Sequence, residues 1–238
     1  MDQYLEEVQR RLYIHSNHAP GGIRIDGIMR LRIRVPIVRK ELRTPYSFSS
    51  FSPSKQLDIW DYIWNQTTLF EVMSLALYAH QGKILAGEKV EVIKNWVERI
   101  NCWEHSDDLS KILANVIEAN PDQLLPVYEQ WNRSENPWKR RQSIVGLIEY
   151  AGKRKRFLPF EKLISFINPL LDDEDYYVQK GIGWTIREIY NAYPEKALDY
   201  ISQNLGALNP NAYSSATEKI PKELKKQLNQ RRKGLRKK

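Results

Sequence analysis

The stretch VQKGIGWTIRE, residues 178–188, decides the fold class. Its apolar residues belong to a run, Val178–Tyr190, in which they recur every three to four positions. Ile182, Ile186 and Ile189 form one face of a helix. Lys180, Trp184 and Arg187, at i, i+4 and i+7, form another. The helix therefore has a face to bury and a basic, aromatic face to present. Gly181 and Gly183 each cost a helix about 1 kcal/mol relative to Ala. Small residues at these positions let a second helix, or a ligand, approach closely. A tryptophan on the basic face is the less expected placement, and the competing reading packs Trp184 against a neighbouring helix pair.

The same period recurs in Leu57–Trp64, Leu69–Ala79, Val90–Trp96, Leu109–Ile117, Leu124–Trp131, Ile144–Tyr150 and Leu163–Leu170. Ser54 precedes a helical run in SPSKQLDIWDYI, and Asn136 with Pro137 starts the run toward Tyr150. Asn120-Pro121, Leu158-Pro159 and Tyr193-Pro194 mark breaks. Residues 22–36, GIRIDGIMRLRIRVP, come closest to strand alternation, but Gly and Pro favour a loop leading into a helix at Pro36. Trp103, Trp138 and Trp184 lie 35 and 46 residues apart, spacings that suit paired-helix repeats. The expected fold is all-α, a superhelical array of HEAT-like or armadillo-like antiparallel helix pairs. A compact helical bundle is the rival. The expected organisation is one repeat domain over residues 1–228, entered by N-terminal helices within 1–50, with FSSFSPS (48–54) as the clearest loop. A basic, flexible tail over 229–238 is expected to follow.

The 238 residues are 42% hydrophobic and 28% charged, ordinary for a globular chain able to bury a core. No apolar stretch approaches the roughly 18 residues of a membrane span. The amphipathic N-terminus lacks a secretory h-region, and lone Cys102 forms no intrachain disulfide, so a cytoplasmic location is expected. The net charge of +8 comes from the stretch after Pro221: residues 222–238 hold nine Lys/Arg against Glu223, and the remainder balances. That stretch is either a phosphate-holding arm or a solvated terminus. His15, His18, His80, His105 and Cys102 form no ligand spacing, so neither a metal nor a cofactor is expected.

Two further segments offer chemistry. In CWEHSDDL, Trp103 and Asp107 lie one helical turn apart, a carboxylate beside an aromatic wall. Alternatively Trp103 is core, and Ser106, Asp107 or Asp108 caps the run LSKILANVIE. His105 is expected at the surface. In NPWKRRQSI, Lys139, Arg140 and Arg141 crowd a helix N-terminal turn, where cations oppose the dipole. That placement points to an external anion, or to an exposed turn paired with acids such as Glu135.

Together the three segments match a pattern: Trp-x3-Asp, then Trp-x2-Arg, then Gln-Lys-x-Ile-Gly-Trp-x2-Arg-Glu. In that pattern the chain resembles the DNA alkylation repair family, the AlkD-like group of helical-repeat DNA glycosylases. The resemblance runs from Leu31 to Asn204 and includes IRVPIVRKELR. It implies a concave face that binds double-stranded DNA, acted on by a monomer. Carried over by position, Asp107 is the catalytic carboxylate, Arg141 its phosphate-holding partner, and Trp103 and Trp184 the aromatic walls. Lys139, Arg140, Lys180, Arg187, Arg231 and Arg232 are the expected DNA contacts.

The implied reaction suits these side chains. 3-Methyladenine and 7-methylguanine are cationic and leave easily. Breaking the glycosidic bond builds oxocarbenium character on the sugar. A carboxylate and indole faces stabilise that cation, and an arginine clamps the flanking phosphate. Relatives carry an acid, a small residue and Val before the key Asp; here Glu104-His105-Ser106 stands there. Their Ser-Arg-rich turn is replaced by LNPNAYSSATEKI (208–220), which has no arginine. A non-catalytic DNA-binding repeat protein and a protein-interaction scaffold are the alternative functions.

Overall fold

The computed structural model describes residues 1–16, 23–25, 27–83 and 87–235. They form two units, Met1–Asn115 and Val116–Lys238. The boundary between the units falls within the helix Trp103–Ala119.

The first unit contains α1 (Asp2–Tyr13), β1 (Ile23–Ile25), β2 (Ile28–Arg30), α2 (Val35–Glu41), α3 (Pro53–Gln66), α4 (Phe70–Tyr78) and α5 (Glu88–Lys94). A 3-10 turn (Asn95–Arg99) follows, and then α6 (Trp103–Ala119), which continues into the second unit. Ser52 caps α3 by accepting from the Lys55 N–H at 3.3 Å, and Pro53 takes the first helical position. The helix therefore begins two residues before the Ser54 start. α4 is buried nearly all round, as an apolar helix without a polar face must be. Trp64 of α3 stacks on Trp96 with ring centroids 5.1 Å apart, and Trp96 Nε1 donates to Asp61 at 2.7 Å. Arg99 donates to the carbonyls of Trp64 and Thr67, satisfying the open end of α3.

Within the loop expected over 22–36, Ile23–Ile25 and Ile28–Arg30 pair as antiparallel strands, Ile23 with Arg30 and Ile25 with Ile28, while residues 31–34 lead as a loop into the helix at Val35 and Pro36. Gly27 takes φ +81°, open to glycine without strain. Strands of three residues are too short to show period two in sequence, and their pairing is supported from elsewhere. The Met29 N–H donates to Thr68 O, and Met29 bridges Leu69 at the start of α4. Beyond the hairpin, Arg32 is left-handed at φ +58°, which aims the Leu31 and Ile33 N–H groups at one carboxylate. Glu71 of α4, buried, accepts both, at 2.9 and 3.3 Å.

The second unit holds the end of α6, then α7 (Leu125–Asn132), α8 (Pro137–Val145), α9 (Phe160–Ile167), α10 (Tyr176–Ala192), α11 (Pro194–Gln203), α12 (Pro210–Ala216) and α13 (Lys222–Leu235). The chain is all-α apart from the one hairpin among its described residues. The expected proline breaks separate α6 from α7, precede α9 and divide α10 from α11. Asn136 caps α8 as expected, accepting from the Trp138 N–H at 2.9 Å. α8 stops at Val145, however, and the run toward Tyr150 is not helical to its end.

α10 packs between α8 and α12, burying Val178, Ile182, Ile186 and Ile189. Its two glycines face different neighbours. A Cβ at Gly183 would lie 2.8 Å from Ala212 Cα of α12. One at Gly181 would lie 3.2 Å from Arg141 Nη1 of α8. Both glycines therefore serve the close approach of protein rather than of a ligand.

The tail expected to be flexible from 229 is helical through Leu235; residues 236–238 lie outside the described part. Leu228 and Arg232, one turn apart, are the buried face that holds α13 down. Arg232 Nη2 donates to Leu208 O at 2.5 Å, and its guanidinium lies 4.3 Å from the Tyr213 ring centroid.

Candidate active site

α6 begins at Trp103, so Ser106, Asp107 and Asp108 lie inside the helix and none caps it. Its first two turns sort the chemistry of CWEHSDDL by face. Cys102 is buried, and burial pushes its thiol up to about 12, so it is no nucleophile at neutral pH. His105 is fully buried rather than at the surface. It stacks on Phe70 at 4.3 Å and its Nε2 lies 3.0 Å from Ser74 Oγ. Burial lowers its pKa to about 3, so the imidazole is neutral. The Arg30 guanidinium covers the Phe70 ring at 3.9 Å and donates to Glu104 at 3.0 Å. Asp108 is buried, 2.7 Å from Lys111 Nζ and 3.0 Å from Gln81 Nε2. Trp103 is 49% exposed, and Asp107 is half-buried one turn on. Of the five polar residues after Trp103, Asp107 is the carboxylate that shares its outward face.

In the second unit, most of the QKGIGWTIRE signature is structural. Gln179 Nε2 donates to Leu171 O at 3.0 Å and Asp173 O at 2.6 Å, clamping the turn before α10. Asp175 caps α10 by accepting from the Tyr177 and Val178 N–H groups. Glu188, buried, accepts from the Ala151 N–H at 3.0 Å and from Asn191 at 3.2 Å. Lys180 donates to Ser215 of α12 at 3.2 Å. Trp184 is half-buried, meeting Tyr150 edge-to-face at 5.8 Å, with the Arg187 guanidinium 5.5 Å from its centroid.

The arginines expected on DNA divide. Arg140, read as pointing to an external anion, has an internal one. It donates to Asp173 at 2.5 and 3.1 Å and to the carbonyls of Ser134 and Glu135. Arg187 pairs with Glu218 at 2.7 Å and Glu188 at 3.2 Å. Arg232 is the buried anchor of α13. Each meets a carboxylate or carbonyl distant in sequence, as Arg141 also does. Arg141 is 4% exposed, lies over Gly181 and donates to Tyr177 O at 2.8 Å. Lys139 is half-buried, and Arg231 is exposed, with Ser202 at 3.3 Å.

The structure adds a group that the sequence reading passed over. Tyr150, 42% exposed, sits at φ +47°, ψ +73°, a left-handed backbone that is costly for a non-glycine residue. It opens a recess of about 380 Å³ lined by Gly152, Lys153, Arg187, Glu188, Asn191 and Lys219. The run AGKRKR directly after Tyr150 was its only sequence signal, a break in a helical pattern. Among the described residues, no three His, Cys, Asp or Glu side chains gather as a metal site. No described helix is long and apolar enough to cross a membrane.

Comparison with known proteins gives a family and a fold. The family model described as DNA alkylation repair enzyme matches residues 26–220. None of the curated proteins matches significantly. A predicted DNA alkylation repair enzyme from Enterococcus faecalis is similar in structure with a TM-score of 0.67 at 20% identity, covering 82% of this chain and 90% of that one. AlkD2 from Streptococcus mutans is similar with a TM-score of 0.61 at 18% identity, covering 92% and 98%. At these identities the solved structures speak to the fold alone.

Proposed function

The chain belongs to the DNA alkylation repair enzyme family, and from that premise we propose that it is a DNA glycosylase removing cationic N-alkylated purines. The observation that carries this reading is the outward face of α6. Trp103 and Asp107 stand there together, while His105 and Asp108 are turned into the protein.

In this reading Asp107 stabilises the oxocarbenium sugar and orients the attacking water. The glycosidic bond to the alkylpurine breaks, the base leaves as a neutral molecule with the bonding electrons, and water supplies the hydroxyl at C1′ while its second proton passes through Asp107 to solvent. The indole of Trp103, one turn before Asp107, favours the same cation, and Trp184 is carried over as an aromatic wall from the family pattern. Arg141, ordered by its hydrogen bond to Tyr177 O, is carried over from the family pattern as the group that holds the flanking phosphate. The cationic leaving group makes activation by a metal unnecessary. Lys139, Lys180 and Arg231 contact the backbone of double-stranded DNA, and the protein acts as a monomer. Arg140, Arg187 and Arg232 are assigned to the fold instead.

The test is release of free 3-methyladenine and 7-methylguanine from methylated duplex. Asp107→Asn should lower release by about 100-fold or more while keeping duplex affinity. Asp108→Asn, altering an acid tied to Lys111, should retain most of it. A folded wild-type protein that binds DNA but releases no base would favour the non-catalytic alternative.

A further inference from the structure

The recess beside Trp184 contains more than an aromatic wall. Tyr150 presents its ring at the surface on a left-handed backbone. That conformation is held from below, where Glu188 accepts the N–H of Ala151. The Lys153 ammonium lies 4.8 Å from the Tyr150 ring centroid, and Trp184 supports that ring edge-on at 5.8 Å. Lys219, 56% exposed at its side chain, lines the same recess. Of the cations here, Arg187 is shared between Glu188 and Glu218, and Lys219 reaches Glu218 at 3.4 Å. The floor is open at Gly152, where a Cβ would meet nothing within 4 Å. The volume of about 380 Å³ falls within the roughly 300–1,000 Å³ of small-ligand clefts.

A ring held at the surface by backbone strain, with the ammonium groups of Lys153 and Lys219 beside it, fits a flat apolar body joined to an anion. We propose that this recess receives one unstacked nucleotide of a bound DNA strand, its base on Tyr150 and its phosphate on Lys153 and Lys219. Aromatic stacking accepts any base, so the recess selects for an unpaired nucleotide rather than for sequence. The inference rests on the chain acting on DNA, and does not require Asp107 chemistry.

The experiment uses the full chain and a duplex carrying one unpaired 2-aminopurine, read by its fluorescence and by affinity. Two variants remove the recess without attacking the fold. Tyr150→Gly deletes the ring where glycine suits the backbone. Gly152→Leu fills open space. Thermal melting confirms that both are folded. Wild type should quench 2-aminopurine. Both variants should lose the quench and bind this duplex about tenfold more weakly, with affinity for a fully paired duplex unchanged. Wild-type quenching in both variants, or no quench by wild type, overturns the proposal. So does displacement of the probe by a polyglutamate peptide as readily as by an unlabelled bulged duplex, which would make the recess an acidic-peptide site. Base release by wild type with quenching unaltered in both variants would sink this inference alone. Loss of quenching in both variants without any base release would sink the glycosylase reading alone.

Discussion

A methyl group on Gly181 would stand 3.2 Å from Nη1 and 3.3 Å from Cγ of Arg141. The bare backbone of α10 is thus the bed on which the Arg141 side chain lies, and Tyr177 O, one turn earlier, receives its Nη1 at 2.8 Å. The proposed phosphate-holding group is placed by a missing side chain on another helix.

The two glycines of α10 should therefore respond differently to Ala. At Gly181 the neighbour is a flexible side chain, so Gly181→Ala should shift stability by less than about 1 kcal/mol, with Ala's helix propensity compensating. Arg141 should be displaced and base release should fall. At Gly183 the neighbour is the backbone of Ala212, which cannot yield cheaply, and a loss of about 1–3 kcal/mol is expected. Urea unfolding of both variants checks this; equal stabilities would refute it.

Glu71 should be the most sensitive carboxylate of the first unit. It is buried and accepts two backbone N–H groups that have been turned toward it by the left-handed Arg32. Glu71→Ala would leave both donors without their acceptor, for a loss of about 2–4 kcal/mol. A melting temperature within a degree or two of wild type would show that the two N–H groups find other partners.

Acid should destabilise the first unit through two buried histidines. Burial lowers the pKa of His80 to about 4 and of His105 to about 3. Both folded values lie below the unfolded value of 6.5. Their neutral forms cost nothing above pH 6.5, and stability is lost as pH falls from there toward 4 and 3. Between pH 6.5 and 5 each should remove about 2 kcal/mol. Chemical denaturation at several pH values measures the slope, which should become shallower in His80→Gln. An unchanged slope in that variant would show that the histidine does not contribute.

Adjacent arginines of α13 should separate structure from binding. Arg232→Ala removes a buried hydrogen bond to Leu208 O and the contact with Tyr213, and should cost about 1–3 kcal/mol. Arg231→Ala, at an exposed position, should leave stability alone while lowering the salt slope of duplex binding by about one. An unaltered slope would remove Arg231 from the DNA contacts.

The helical class, most helix positions and the one-turn spacing of Trp103 and Asp107 were legible in the sequence, because apolar period and caps are local properties; that both face outward was not. Asn136 and Pro137 start α8 as their residue types dictate, and the periodic run from Val178 is α10. The hairpin at Ile23–Arg30 was not legible, since its strands are too short for a period and are propped by Thr68 and Leu69.

By itself the sequence determined which segments are helices, which faces are apolar and which family pattern they carry. Only the tertiary structure decided what the charged and aromatic residues do. Asp173 claims Arg140 from 33 positions away, and Glu218 claims Arg187 from 31. Phe70 and Ser74 draw His105 into the core, and Tyr150 is turned out to the surface. The reason is physical. A hydrophobic period is set by neighbours along the chain, whereas a charge or a ring takes its role from whichever partner packing brings within about 3–5 Å.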